Sequence, residues 1–537
     1  VCAYIFIGAR EGKQTKPGNS HLPSRPPNNL GIYTNLKFLE VSMKGSAKSL
    51  ACICVSLLCL FTLFQSSCQK HTKETPVTSY SNEAKRLFIE ARDKYEFHHR
   101  EKADGLLVEA LEKDPLFAQA HIYRILTCAA TDEIESAVEK ATKNAHRASE
   151  GEQLLITAFK AHHWEKDYEK AIKIYEQIID MFPNDARVRW LLGRVYRDLG
   201  DITKAIEQNQ KAIDINKDYA PAHKDLGYRY SAAGDYKQAE IYFYNYLQLA
   251  PMEPNSHDSI ADLFTKMGRF EDAIAHYEKA LELDPTFSYS QRKIGINLCF
   301  LGKCKEGREV LEKAMDNEIN PSGKVYTMER IIHSYLYEQD YLSALEAIDK
   351  TVEMAMANGI LEEVARYKLA KCAVYSELKD YDNASKCISD CQKVILEKSL
   401  APYYKDYYAS ERLFWEAWIA AKQHKFDEAL DKAAEYRAAL EKMNDSRRLK
   451  YHIALLGHIA MTQGETRSAY ELFKNASIDD PFFHYLTASA KDKSGDKEAA
   501  AKYFRKAANW NSDSLEYALI RQKALARKVM LSSTEVQ

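Results

Sequence analysis

The sequence predicts an all-α protein, an α-solenoid of about twelve helix–turn–helix repeats. Three observations predict it. Ala103, Ala137, Ala171, Ala205, Ala239 and Ala273 stand 34 residues apart, and Gly307 takes the next place. A second series of small residues, Gly193, Gly227, Ala261 and Gly295, keeps the same period twelve residues earlier. Breakers are scarce in the body: of 14 prolines only nine follow Ser81. Ala, Leu, Lys, Glu and Tyr dominate there, which suits helices more than sheets.

Three elements precede the array. Residues 1–42 contain no Met, and "PGNSHLPSRPPNN" is turn-rich with no helical period. They are read as a misplaced upstream extension, with Met43 as the expected start. Residues 43–67 read as an export signal. Lys44 and Lys48 supply positive charge, and Ser49–Phe64 is an uncharged, mostly apolar run of 16 residues. That run is short of the roughly 20 apolar residues that span a bilayer comfortably, and small residues follow it, as at a cleavage site. The ending "QSSCQK" resembles the lipobox of bacterial lipoproteins, although Gln65 stands where an aliphatic residue is usual. The resemblance implies lipid on Cys68 as the first mature residue. Residues 68–80 then read as a flexible tether.

Residues 81–321 are the regular array. Each 34-residue unit is two helices joined by a tight turn. Where the helices cross, both must carry a small side chain, hence Gly or Ala in each series. Tyr196, Tyr230 and Phe264 in one series and Tyr175, Phe243 and Tyr277 in another fill the space between pairs. Gly at 200, 234, 268 and 495 ends the first helix in a left-handed turn. Pro115, Pro183, Pro251 and Pro285 stop the second. "LLGRVYRDLGDITKA", "DLGYRYSAAGDYKQAEIYF" and "GRFEDAIAHYEKALELDP" resemble the tetratricopeptide repeat. The resemblance implies a right-handed superhelix and an interaction module. "ASEGEQLLITAFKAHHWEKDYEKAIKIYEQIIDMFPND" departs from the pattern in its first helix and is similar to repeat blocks attached to some bacterial kinases and regulators, without any kinase signature.

Residues 322–511 continue as a divergent array. Ala344, Ala384, Ala429, Ala469 and Ala500 keep the register at spacings of 37, 40, 45, 40 and 31. Residues 512–537 read as a capping helix and tail. Ser512 and Asp513 are capping-type residues, and an amphipathic helix from Ser512 to Met530 covers the open end of the array.

Little in the chain suggests chemistry. The balanced charge of −2 gives no bulk signal for nucleic acid or anionic membrane. No metalloprotease, hydrolase, P-loop or dinucleotide motif occurs in a sensible context, so no enzyme activity, cofactor or metal is expected. Cys372, Cys387 and Cys391 fall near small positions of their repeats and read as seam packing, with a metal or disulfide as the other reading. Cys299 and Cys304 flank a turn. Neither His98–His99 nor His162–His163 forms a chelate alone, because adjacent residues diverge around a helix.

In the resembled fold, set positions of each first helix line a groove. Here these are Lys160, His163, Arg187, Trp190, Arg194, Arg197, Lys224, Tyr228, Asp258, Asp262, Tyr289 and Arg292. A basic, aromatic stretch runs into an acidic one. Such a groove suits an acidic peptide or a chain-terminal carboxylate. The Lys, Asn and Arg set with which some family members clamp chaperone tails is absent, so that activity is not carried over. The leading expectation is a non-enzymatic scaffold lipoprotein of the bacterial cell envelope. It would be held by lipid on Cys68 at the periplasmic face or outer membrane and would bind protein partners and no nucleic acid. A solute- or glycan-capture lipoprotein and a membrane-anchored cytoplasmic adaptor are the alternatives.

Overall fold

The computed structural model describes residues 74–534 apart from 129, 130, 319, 444, 446 and 447. The upstream extension, the signal segment and Cys68 lie outside the described residues, as do 69–73 of the tether. Among the described residues there are 25 α-helices and no strand, in twelve helix–turn–helix pairs and a final single helix. The pairs are α1–α2 (Asn82–Glu96, Arg100–Lys113), α3–α4 (Ala118–Tyr123, Thr131–Asn144), α5–α6 (Glu150–Phe159, Tyr168–Met181), α7–α8 (Ala186–Leu199, Ile202–Ile215), α9–α10 (Ala220–Ala232, Tyr236–Leu249) and α11–α12 (Pro254–Lys266, Phe270–Leu283). They continue as α13–α14 (Ser288–Phe300, Cys304–Asn317), α15–α16 (Pro321–Tyr337, Tyr341–Ala357), α17–α18 (Leu361–Glu377, Tyr381–Ile395), α19–α20 (Pro402–Lys422, Phe426–Lys442), α21–α22 (Leu449–Gln463, Thr466–Ala476) and α23–α24 (Pro481–Lys493, Lys497–Ala508), followed by α25 (Leu515–Thr534).

The small-residue register forms the seam inside each pair. Every alanine of the series from Ala103 to Ala500 is buried. A Cβ on Gly193 would meet the Ala205 carbonyl oxygen at 3.3 Å, and one on Gly307 would meet the Gly295 carbonyl oxygen at 2.4 Å. Tyr175, Phe243 and Tyr277 are fully buried between pairs, as their spacing predicts.

The turn inside each pair follows from backbone sterics. Gly200, Gly234, Gly268 and Gly495 have φ between 77° and 90°, where glycine alone carries no Cβ penalty. The aspartate after the turn then caps the second helix: Asp201 accepts from the Lys204 N–H and Asp235 from the Gln238 N–H. Gln339, Lys379 and His424 take the same left-handed place with φ near 60° and no glycine.

The loosened spacing after Gly307 comes from helix length. Helices α7 to α14 have 13 or 14 residues, α15, α16 and α17 have 17, and α19 has 21. The irregular third pair is also explained. Helix α5 runs into a π-helical turn over Lys160–Glu165, which Lys166 ends at φ 57°.

Two expectations need correction. Glu74–Tyr80, placed in the flexible tether, is a strap. Thr75 donates from its amide and its hydroxyl to Asp185 at 2.8 Å. Thr78 does the same to Glu152, and Ser79 and Tyr80 both donate to Asp114. Three carboxylates in successive pairs take up the polar groups of an otherwise unpaired extended chain, so anchoring begins by Thr75. The final helix starts later than expected, and Ser514 rather than Ser512 or Asp513 caps it, accepting from the Tyr517 N–H. Asp513 is turned inward to His333 at 2.6 Å and Arg330 at 2.9 Å. Arg521 of α25 donates to the Phe300 carbonyl at 3.0 Å. This helix therefore ties the end of the array to α13 and α15 as well as covering α24.

Candidate binding groove

First helices of consecutive pairs present one continuous face, and the side chains on it bond from pair to pair. The Trp190 indole N–H of α7 donates to Asp225 of α9 at 2.7 Å. The Tyr228 hydroxyl of α9 donates to Asp262 of α11 at 2.9 Å. Asp258 and Asp262 of α11 both meet Lys293 of α13, at 2.6 and 2.8 Å. Arg292 of α13 pairs with Glu318 at 2.9 Å. Five of the twelve sequence-predicted residues thus fall into one ladder along α7, α9, α11 and α13.

Several of them do a different job from the one their position predicts. Trp190 is buried, its ring flanked by Arg194 at 5.0 Å and edge-on to Tyr219. It builds the floor of the face. Asp258 is buried too. Burial pushes its carboxyl up, while Lys293 pulls the other way. The acidic end of the stretch is therefore largely neutralised by Lys293, a residue the positional rule did not select.

Lys160 and His163 sit in the π-helical turn. Lys160 pairs with Glu165 at 3.5 Å. His163 packs on His162, ring centroids 3.9 Å apart, and on Phe159. Burial, helped by the neighbouring imidazole, holds His163 well below the usual histidine range. His162 is buried and lowered to about 4, although its Nε2 lies 2.8 Å from Asp198. Arg197 takes the other side of that aspartate at 2.7 Å. These residues are packing and pairing neighbours of the face.

The basic end carries the feature that sequence reasoning missed. The end of α1 and the turn that leads to α2, together Tyr95–His99, lie on the face. Glu96 Oε1 meets Arg187 Nε at 2.7 Å, and its other oxygen accepts from the Tyr219 hydroxyl at 3.3 Å. Lys224 donates to the Glu96 carbonyl at 2.7 Å. Arg194 donates to the Tyr95 hydroxyl at 3.1 Å. Phe97 stacks on Tyr246, His98 meets Tyr289 edge-on, and His99 Nε2 is 2.8 Å from Glu253. Beyond the turn, Lys102 reaches Asp284 at 2.7 Å. The backbone reverses at His98, whose φ is 68°.

The electrostatics of this end are positive. Lys224 is 3% exposed, and burial brings its ammonium down to about 8. The cations Lys224, Arg194, Lys293 and Arg197, Lys224 foremost, together with burial, keep His98 well below the usual histidine range. Glu96 brings the matching charge, but the only sequence signal for it was an acidic residue at the end of a first helix. Cys372 and Cys387 pack with Ala384, Ile388 and Ile419, and Cys391 with Leu369, Ile395 and Tyr408. Burial pushes the Cys387 thiol up to about 11 and the Cys391 thiol to about 12.

Comparison with known proteins finds partial similarities. DnaJ homolog subfamily C member 7 of Homo sapiens is 24% identical over 271 residues, 49% of this chain and 53% of that protein. Hsp70-Hsp90 organizing protein 2 of Arabidopsis thaliana is 23% identical over 155 residues, 29% of this chain and 26% of that protein. The chain therefore spans about half the length of the first relative and about a quarter of the second. Among solved structures, MamA is 23% identical, covering 30% of this chain and 93% of that one with a TM-score of 0.27. YrrB, a TPR protein with an unusual peptide-binding site, is 18% identical, covering 34% of this chain and 91% of that one with a TM-score of 0.25. Models of the tetratricopeptide repeat match residues 165–227, 259–287 and 455–514. The chain thus carries tetratricopeptide repeats on α6–α9, on α11–α12 and on α21–α24.

Proposed function

We propose that the protein is a non-enzymatic scaffold whose first-helix face binds segments of partner proteins, at its basic end an acidic one. The observation that carries this reading is the contact of Tyr95–His99 with the face. The end of α1 and its reverse turn, with one buried carboxylate, are held there by Arg187, Lys224, Tyr219 and Tyr246. A face that binds such a segment from its own chain has the donors and rings to bind one from another. Charge-assisted pairs give register, and aromatic contacts give area. Hsp70-Hsp90 organizing protein 2, a relative over part of the chain, is named as organizing Hsp70 and Hsp90; an organising task of the same class is proposed here, with other partners.

The test is retention of partners by the immobilised protein against an Arg194→Ala/Lys224→Met variant with unchanged helicity. Loss of specific partners from the variant is expected. An identical set bound by both forms would overturn the groove assignment.

Location is part of the proposal. Cys68 carries lipid, and the array works at a bacterial envelope membrane, facing the periplasm or on the outer membrane. The lipobox-like "QSSCQK" supports this reading. Metabolic labelling with palmitate should mark the native chain and leave a Cys68→Ser variant unlabelled; equal labelling of both would sink the assignment.

A further inference from the structure

A solenoid repeat ordinarily touches only its neighbours in the stack. The first pair breaks that rule at its tip. Its turn touches residues of four later pairs, with sequence separations of 91 to Arg187, 99 to Arg194, 123 to Tyr219, 128 to Lys224 and 154 to Glu253, and with His98 edge-on to Tyr289. The contact is also selective. It uses mainly the loops before α7, α9, α11 and α13 and the first turns of those helices, with Arg194 in mid-α7 and Tyr246 near the end of α10, and the strap through Thr75 ends on Asp185 at the same edge.

The chemistry of the contact is that of a ligand in a site. Glu96 supplies one buried carboxylate, and Phe97 supplies one ring. The fit is incomplete, however. Arg194 receives a phenol oxygen and Lys224 a main-chain carbonyl; among the described residues neither forms a direct ion pair, and the nearby Asp225 that acts on both is already bonded to Trp190. The bonds that Arg194 and Lys224 already make are charge-assisted, and a carboxylate in place of the neutral acceptor adds Coulomb attraction and bidentate geometry. A segment bearing two or three carboxylates would satisfy Arg187, Arg194 and Lys224 together, which the turn cannot do with one.

We propose that the Tyr95–His99 turn is a built-in competitor for the groove, occupying the place of an acidic partner segment until that segment displaces it. The proposal rests on the groove reading above and adds its regulation. The protein then binds its partner with an affinity reduced by the fraction of molecules whose groove is open. Loosening the turn raises affinity without adding any contact to the ligand.

The experiment uses fluorescein-labelled hexaglutamate as the probe and anisotropy at low salt as the readout. Three forms of the whole chain are compared: native, Glu96→Gln, and Glu96→Gln with Lys224→Met. Removing the charge of Glu96 is expected to tighten probe binding about tenfold, as the open fraction rises. The added Lys224→Met change is expected to abolish that gain. Equal affinity of the native and Glu96→Gln chains, with binding still lost on Lys224→Met, would overturn the competitor while leaving the groove in place. Absence of probe binding by all three forms would overturn the acidic-ligand reading and the competitor with it. Amide hydrogen exchange over residues 94–100 supplies the second measurement. Hexaglutamate should accelerate exchange there in the native chain, and unchanged protection in the presence of bound probe would also overturn the proposal.

Discussion

Glu96 and Arg187 meet at 2.7 Å across 91 residues of chain, joining the first pair of the array to the fourth. Glu96 is 6% exposed, so the carboxylate depends on this partner and on Tyr219. Truncating one member of a buried pair leaves the other charged and desolvated, at a cost of about 3 kcal/mol. Arg187→Ala should therefore destabilise the N-terminal pairs by that order, and Glu96→Gln in the same chain should recover part of the loss. Urea unfolding of the two single variants and the double variant measures it. Additive effects would show that the pair is not coupled.

Lys379 and Gln339 adopt φ of 60° in turns where other pairs use glycine, and both side chains are exposed. The left-handed region costs an L-residue about 1–2 kcal/mol, part of which glycine returns as unfolded-state entropy. Lys379→Gly and Gln339→Gly should each raise stability by about 0.5–1 kcal/mol, and Gly200→Ala should lower it by a similar amount. Thermal melts in one buffer compare all three.

Gly307 stands where six earlier pairs carry alanine, yet a Cβ there would lie 2.4 Å from the Gly295 carbonyl oxygen and 3.0 Å from Cys299 Sγ. Both small positions of this pair are glycine, so the helices approach more closely than elsewhere. Gly307→Ala must push α13 from α14 and should cost about 1–3 kcal/mol. Denaturant titration reads the change, and a neutral result would mean the seam yields without loss.

Asp480 caps α23, accepting from the Phe482 and Phe483 amides. Burial, reinforced by the Glu516 carboxylate at the start of α25, pushes its carboxyl up to about 8. The folded state therefore keeps a proton that the unfolded chain releases near pH 4. Between those limits the native state binds more protons, so this group's contribution to stability falls as pH rises from about 4 to about 8. Asp480→Asn keeps the cap acceptor and removes the charge. It should stabilise by at least about 1 kcal/mol near pH 8 and change little at pH 4. Melting temperature against pH for both chains checks the sign.

How much of this was legible in the sequence follows from the range of each interaction. The register from Ala103 to Ala500 was legible because the helix crossing admits only small side chains, and that steric demand recurs once per repeat. The pairing of Trp190 with Asp225 was half legible. Position placed the tryptophan on the right face, but the depth of its burial depends on what the next first helix offers. The Glu96 contact was not legible, because a turn from the first pair meets the fourth to seventh only after several units have stacked. The strap was missed for a related reason. "ETPVTSY" has the composition of a linker, and its order comes from Asp114, Glu152 and Asp185, none of which signals from within the segment.

The strap also sets a distance. With Thr75 fixed on Asp185, seven residue steps separate Cys68 from the array, and a fully extended chain spans no more than about 25 Å over that stretch. A leash running to Ser81 would nearly double the reach. If Cys68 is fastened to a bilayer, the edge bearing Asp185 and Arg187 stays within one domain's width of the lipid headgroups, and partners would come to that edge from the membrane side.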